Sequence, residues 1–216
     1  MRTSTDIRQT AARNVAAALL LLSLPGSGRA QTLTLGPGSR LWLEGDSTLH
    51  PFSSTATRLT ASFVTAPGLP VSAAVEEAIR GGKIRGLVVV VPVKGLKSGE
   101  SGLDKNLWKA LRADAFPDIA FTMGGYRLEV DSATAVIVAW GELTVAGARR
   151  PETLRGSLGW RDGGAVIDGA QPLLMTDFGI RPPTFLFDAL KTSDRVTVRF
   201  HLEVGSNADG RKTDTR

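Results

Sequence analysis

The 216-residue chain contains no cysteine and only two histidines, which excludes disulfides, a thiol nucleophile, an iron–sulfur cluster and a poly-histidine metal site. Its formal charge of +5 is concentrated at the start: residues 1–30 hold four Arg and one Asp, so the remainder carries about +2. Cations in the remainder are spread along the predicted strands and form no basic patch, which argues against a nucleic-acid partner.

Residues 1–30 have the layout of a cleaved signal peptide. Three arginines precede an apolar run from Val15 to Leu24, and the small residues Gly28 and Ala30 precede the predicted cleavage point. The apolar run is too short to span a bilayer. We therefore expect export to the periplasm without a membrane span. Residues 31–204 are then one folded domain, and residues 205–216 are a disordered tail.

Strand patterns dominate the domain. Alternation of apolar and polar side chains predicts eight antiparallel strands near residues 40–48, 55–65, 84–94, 119–130, 134–146, 152–160, 164–173 and 194–204. The apolar phase changes after Gly124-Gly125 and again after Gly141, which indicates bulges or bends. Asp162-Gly163 indicates a hairpin turn. Eight such strands favour an all-β fold, as one closed barrel or a sandwich.

Two or three short helices are expected between the strands. The first covers residues 72–80 and is a candidate cover for the outer face of strand 86–93, GLVVVVPV, which is apolar on both faces. The second covers 104–113, with Asp104 as its N-cap. A third is expected to start at Pro182-Pro183.

The triplet Gly45-Asp46-Ser47, followed by His50, raises the hypothesis of an esterase-type hydrolase. Hydrolases with such a triplet need a late Asp-x-x-His pair, but the residue three before His50 is Ser47 and the residue three before His201 is Val198. The strand pattern is also antiparallel, whereas these enzymes have a parallel α/β fold. A polar turn is the preferred interpretation, with the hydrolase kept as an alternative.

Three segments together resemble one family. They are VVVPVKGLKSGESGLDKNLWKALRADAFPDIAF (89–121), GELTVAGARRPETL (141–154) and MTDFGIRPPTFLFDALKTSDRVTVRFHLEV (175–204). The last is the most specific, from Asp-Phe-Gly-Ile through Leu-Lys to the final strand. The chain is thereby similar to the YceI-like proteins over residues 40–204.

This resemblance implies an extended eight-stranded antiparallel, lipocalin-like barrel around an apolar tunnel. It also implies a polyisoprenoid ligand, such as an isoprenoid quinone or a prenyl phosphate, held for transport, storage or sequestration without catalysis. No cofactor other than this lipid is expected. A chain of roughly forty carbons would gain on the order of 12 kcal/mol at about 0.3 kcal/mol per atom, without any polar contact.

Inward-facing apolar positions are the predicted ligand contacts. Those on the strands are Phe63, Val89, Val91, Phe121, Trp140, Leu158, Val198 and Phe200. Those at the closing end of the barrel are Leu107, Trp108, Leu111 and Phe178. Periodicity does not separate a hollow barrel from a filled one. A structural or partner-binding module with a filled barrel, forming a homodimer through strand 86–93, is therefore a second alternative.

Overall fold

The computed structural model describes residues 33–48, 50–67, 75–131, 134–185 and 190–206. The predicted signal peptide lies outside these ranges, as does the predicted tail from residue 207 onward. The first two residues of that predicted tail, Gly205 and Ser206, belong to the last strand instead. No helix within the described ranges is long and apolar enough to cross a bilayer.

The described residues form twelve strands and two α-helices. The strands are β1 (Leu33–Leu35), β2 (Arg40–Ser47), β3 (Phe52–Ala56), β4 (Thr60–Thr65), β5 (Ile84–Pro92), β6 (Leu96–Lys97), β7 (Asp118–Asp131), β8 (Thr134–Val145), β9 (Ala148–Arg161), β10 (Gly164–Leu174), β11 (Thr184–Phe185) and β12 (Leu190–Ser206). The helices are α1 (Val75–Arg80) and α2 (Ser101–Ala110). Short 3₁₀ turns follow β5 and β10, at Val93–Gly95 and Met175–Phe178.

All strand pairs are antiparallel and belong to one curled sheet. Its hydrogen-bonded order is β4-β5-β7-β8-β9-β10-β12-β2-β3-β6, with β1 and β11 also paired to β12. Within the described ranges no ladder joins the edge strands β4 and β6, but β1, which is paired to β12, also lies against β4. The sheet is thus a half-barrel of the lipocalin-like kind, which confirms the predicted all-β class.

Seven of the eight predicted strands correspond to single observed strands. The eighth, residues 55–65, is wrong as one element, because Thr57–Leu59 separate β3 from β4. β9 is longer than predicted and contains Pro151, which faces Glu142 of β8. The β9–β10 ladder extends only to Gly156 and Gly169. The missing N–H of Pro151 therefore costs no hydrogen bond on that side.

Two tight hairpins fix the long strands β8, β9 and β10. Ala146 and Gly147 connect β8 to β9, and Asp162 and Gly163 connect β9 to β10; all four have positive φ. Two consecutive residues with positive φ are the requirement of the type I′ turn, whose twist matches that of paired strands. The hairpin predicted at Asp162-Gly163 is confirmed.

The helices differ from the prediction in their details. α2 begins at Ser101, so Asp104 lies inside the helix and is not its N-cap. Its carboxylate instead accepts hydrogen bonds from the backbone N–H of Ser98 (2.7 Å) and from its hydroxyl (2.8 Å). These two bonds hold the pKa of Asp104 below its ordinary value. A third helix beginning after Pro182-Pro183 is wrong for the described residues, where β11 is extended; residues 186–189 lie outside them.

Buried apolar side chains form two clusters inside the half-barrel. We call the first the α1 cluster; it comprises Leu33, Val75, Ala78, Ile79, Ile84, Phe121, Met123, Leu158, Ala165 and Val204. We call the second the α2 cluster; it comprises Val91, Val93, Leu96, Leu111, Ala113, Val145, Ala146, Phe178 and Ile180. α1 therefore packs against inward-facing side chains. It does not cover the outer face of β5, where Val88 is exposed.

Candidate ligand-binding cavity

A cavity of about 510 Å³ lies between the two clusters. It borders the α1 cluster at Phe121 and Met123, and the α2 cluster at Leu111 and Phe178. Its lining is almost entirely apolar. The volume falls within the range of roughly 300–1,000 Å³ typical of small-molecule sites. The protein is thus hollow between its two ends, with space for an apolar guest.

The cavity meets solvent at the end where α2 lies. Three exposed residues are part of its lining there: His50 before β3, Glu100 before α2, and Leu174 at the end of β10. α2 itself contributes Leu103 and Leu107 from one side of the helix. An amphiphile with its chain in the cavity can therefore present a polar end to water at this mouth.

Eight of the twelve predicted contact residues line the cavity: Val89, Val91, Leu107, Leu111, Phe121, Phe178, Val198 and Phe200. Strands β5, β7 and β12 supply five of them, and the alternation in these strands predicted the inward face correctly. Leu107, Leu111 and Phe178 close the α2 end, as expected. Their contact with a ligand stays a prediction.

The other four predicted residues lie away from the cavity. Phe63 is half-buried against the α1 cluster, and Leu158 is buried within it. Trp108 packs beside the α2 cluster, where its indole N–H donates to the Leu96 carbonyl (3.1 Å) and Lys97 covers its ring. Trp108 thus fastens α2 to β6. Trp140 is 42% exposed and faces outward.

The prediction for Trp140 was wrong because the strand phase was assigned incorrectly. Both faces of β8 carry apolar residues, and Ile137, Ala139 and Leu143 are the ones that line the cavity. The β7–β8 ladder is irregular on β7, between Met123 and Gly125, and continuous through Gly141 on β8. The predicted phase change on β7 is therefore confirmed, and the one on β8 is not. The Trp140 indole covers Gly125, where a Cβ would come within 2.6 Å of the ring.

Val138, on the same outer face of β8 as Trp140, is fully buried although it lies outside the cavity. Its neighbours across the ladders are Arg127 on β7 and Arg155 on β9, and both guanidinium groups bond Glu129. These bonds hold the pKa of Glu129 below its ordinary value. The arrangement also keeps the Arg155 guanidinium on the outer face of the sheet.

Sequence reasoning missed the polar groups of the inner wall. Gln171 on β10 lines the cavity, and its amide donates to the Glu152 carboxylate of β9 (3.1 Å). Burial raises the pKa of Glu152 above its ordinary value, with a smaller contribution from Asp177. Ser54 on β3 also lines the cavity and is 1% exposed. Ser53, Ser54 and Thr55 are all polar, so apolar–polar alternation did not identify Ser54 as inward-facing.

The Gly-Asp-Ser triplet does not assemble a hydrolytic site. The Ser47 hydroxyl donates to the backbone carbonyl of His50 (2.9 Å), while the His50 ring is bonded through Nδ1 to the Pro51 carbonyl (2.8 Å). Asp46 is exposed on the strand. Ser47 and His50 therefore form a turn at the cavity mouth. Among the described residues, no three His, Asp or Glu side chains are grouped to hold a metal ion.

The sequence matches the family model of the YceI-like domain over residues 48–204. No protein of curated function matches it significantly. Among solved structures, BcnA of Burkholderia cenocepacia is 14% identical, with a TM-score of 0.58 over 76% of this chain and 95% of that one.

A polyisoprenoid binding domain from Saccharophagus degradans, implicated in plant cell wall breakdown, is 10% identical to the chain. Its TM-score is 0.60 over 82% of this chain and 99% of that one. A mutant YceI protein of Campylobacter jejuni is 18% identical, with a TM-score of 0.50 over 69% and 82%. At these identities the likeness is one of fold.

Proposed function

The chain belongs to the family of YceI-like domains, and from this premise and the cavity we propose that it binds a polyisoprenoid or similar long-chain amphiphile. The ligand is held for transport, storage or sequestration, and it is not chemically changed. We further propose that residues 1–30 direct export to the periplasm, where such a carrier would protect an apolar chain from water.

The apolar cavity is the observation that carries this proposal. Each methylene removed from water is worth about 0.8 kcal/mol before the costs of binding. Side chains of leucine, valine, isoleucine and phenylalanine offer no hydrogen bonds to a polar substrate. Each carbon of a long chain that they bury makes the free energy of binding more favourable, so the cavity favours a slim hydrocarbon tail over a compact polar metabolite.

The mouth supports an amphiphile over a pure hydrocarbon. His50, Glu100 and Asn106 lie on the lining near solvent, whereas the opposite end is filled by the α1 cluster. A headgroup such as a quinone or a phosphate would remain near water. The similarity in fold to the polyisoprenoid binding domain from Saccharophagus degradans is the reason for preferring an isoprenoid chain.

Replacement of one cavity residue by a larger one tests the proposal. Leu107 lines the cavity and is half-buried, so Leu107→Trp should fill part of it. Lys109, on the exposed side of the same helix, gives the matched control Lys109→Trp. We expect Leu107→Trp to weaken binding of a fluorescent prenyl probe by at least about tenfold, equivalent to roughly 1.4 kcal/mol. Lys109→Trp should bind like the wild type.

Organic extraction of protein purified from its own host, followed by mass spectrometry, provides the complementary measurement. Co-purification of an isoprenoid lipid would support the proposal. If no lipid co-purifies and the wild type also takes up no prenyl probe, the proposal is refuted. Hydrolysis of an ester substrate that disappears in Ser47→Ala would contradict the absence of catalysis.

A further inference from the structure

One buried hydroxyl in the cavity wall has no hydrogen-bond partner. Among the described residues, the Ser54 Oγ is the buried side-chain oxygen or nitrogen for which no partner is present. Buried polar groups in proteins are almost always paired, since an unpaired one costs the free energy of removing it from water. An alanine at this position would avoid that cost.

Ser54 faces the cavity. On β3 the side chains alternate, so Ser53 and Thr55 are exposed while Ser54 is buried between Phe52 and Ala56. Its cross-strand partner on β2 is Leu43, which also lines the cavity, as does Phe52. At about 3.3 Å per residue, Ser54 lies roughly 13 Å along the chain from His50 at the mouth. The hydroxyl is therefore deep inside an apolar wall.

The remaining polar groups of the wall are either bonded or close to water. The Gln171 amide donates to Glu152, and the Ser47 hydroxyl donates to the His50 carbonyl. Asn106 and Thr192 each have part of their surface exposed. Ser54 is thus the group whose hydrogen-bonding capacity a bound guest would satisfy.

The oxygen that Ser54 meets should be uncharged. Within the described lining the basic side chains are His50, at the mouth, and Arg155, whose guanidinium is bonded to Glu129 on the outer face. Among the internal residues whose side chains are not described, Lys191 is the one Lys, Arg or His, and its backbone precedes Thr192, which pairs with Ser47 near the mouth, whereas Val198 of the same strand is at the level of Ser54. A phosphate at the depth of Ser54 would be a buried charge without a counterion, which is strongly unfavourable.

We propose that Ser54 is a specificity-determining residue whose hydroxyl hydrogen-bonds a neutral oxygen of the guest, such as an alcohol, ether or carbonyl, inside the cavity. This inference rests on the proposed function, because it concerns the same cavity and a long-chain guest. It adds that the guest is oxygenated at a buried position, and that an all-hydrocarbon chain is bound less tightly.

Three probes with an isoprenoid skeleton test this assignment: geranylgeraniol, its methyl ether, and the hydrocarbon squalene, each in competition with the fluorescent prenyl probe. We expect Ser54→Ala to weaken both oxygenated probes by up to about tenfold, the loss of one hydrogen bond. Squalene should change by less than about twofold. Ser53→Ala, the outward-facing serine of the same strand, is the matched control and should leave all three unchanged.

The stability of Ser54→Ala separates a ligand contact from a structural one. Removing an unpaired buried hydroxyl should leave the thermal midpoint of the free protein unchanged or raise it. A lowered midpoint, equal weakening of all three probes, or no weakening of the oxygenated pair would each overturn the assignment. Failure of the wild type to bind any of the three, or the prenyl probe, would instead refute the proposed function.

Discussion

The two helices pack against different buried clusters, and only α2 lines the cavity. α1 supplies Val75, Ala78 and Ile79 to the α1 cluster, and none of the three lines the cavity. α2 supplies Leu103 and Leu107 directly to the cavity wall and lies beside the mouth. The α1 end of the half-barrel is therefore a packed core, whereas the α2 end combines a packed cluster with the wall of the cavity. Substitutions at the two ends should have separable effects.

The largest effect is expected from Ile79→Ala at the α1 end. Ile79 is almost fully buried, and truncation of such a side chain typically costs about 2–5 kcal/mol in the free energy of unfolding. Because Ile79 does not line the cavity, the affinity of the folded fraction for the prenyl probe should stay unchanged. Chemical denaturation and probe titration measure the two quantities.

Glu77→Ala, on the exposed side of α1, serves as the control and should alter neither quantity appreciably. A loss of probe affinity in Ile79→Ala under conditions where the protein is folded would show that the α1 end also contributes to binding. The distinction between the two ends would then fail.

A smaller effect is expected from Tyr126→Phe, which removes a hydrogen bond between the sheet and α1. The Tyr126 hydroxyl donates to the carbonyl of Ile79 at 2.7 Å, at the last turn of α1. Its burial raises the pKa of Tyr126, so the phenol is neutral and remains a donor at pH 7. Loss of this bond should cost about 1 kcal/mol.

Hydrogen exchange locates the Tyr126→Phe effect. Faster exchange at the amides of α1, with unchanged protection in α2, would show that the Tyr126 hydrogen bond stabilises only the α1 end of the half-barrel. Uniformly faster exchange across the sheet would contradict that interpretation, because it would mean that the bond stabilises the whole fold.

The sequence predicted those parts of the cavity where only one face of a strand is apolar. β12 alternates between Val196, Val198 and Phe200 and polar residues, and its inward face was assigned correctly. β8 carries apolar side chains on both faces, so alternation alone gave the wrong position for Trp140. The phase of β8 is continuous, with Ile137, Ala139 and Leu143 inward, because the bulge lies in the neighbouring strand β7.

Other features depend on contacts between distant segments. The burial of Ser54 follows from its neighbours on β2 and β6, and the packing of α1 against Phe121 and Leu158 brings together residues far apart in the chain. Asp104 was expected to cap a helix, yet it fixes the turn at Ser98 because α2 starts three residues earlier. The local sequence around each residue does not predict such contacts between distant segments.

The smallest predicted effect concerns the pH dependence of stability at Glu152, whose carboxylate is bonded to the cavity-lining Gln171. Burial raises the pKa of Glu152, Asp177 adds to this, and the hydrogen bond from Gln171 opposes it. A carboxyl with a higher pKa in the folded state than in the unfolded state destabilises the fold when it is ionised. This cost is present above the folded pKa, and it disappears below the unfolded value of about 4.3.

Glu152→Gln should therefore be more stable than the wild type at pH 7, by less than about 1 kcal/mol. The difference should shrink as the pH falls and vanish near about pH 3, well below the unfolded pKa, where the wild-type carboxyl is largely protonated in both states. Thermal midpoints of both proteins between about pH 3 and 7 measure this convergence. Glu142→Gln, at an exposed carboxylate on β8, is the control and should show no such gain at pH 7. A wild type that is the more stable protein at pH 7 would mean that the Gln171 bond outweighs the cost of burial, and that ionised Glu152 strengthens this wall.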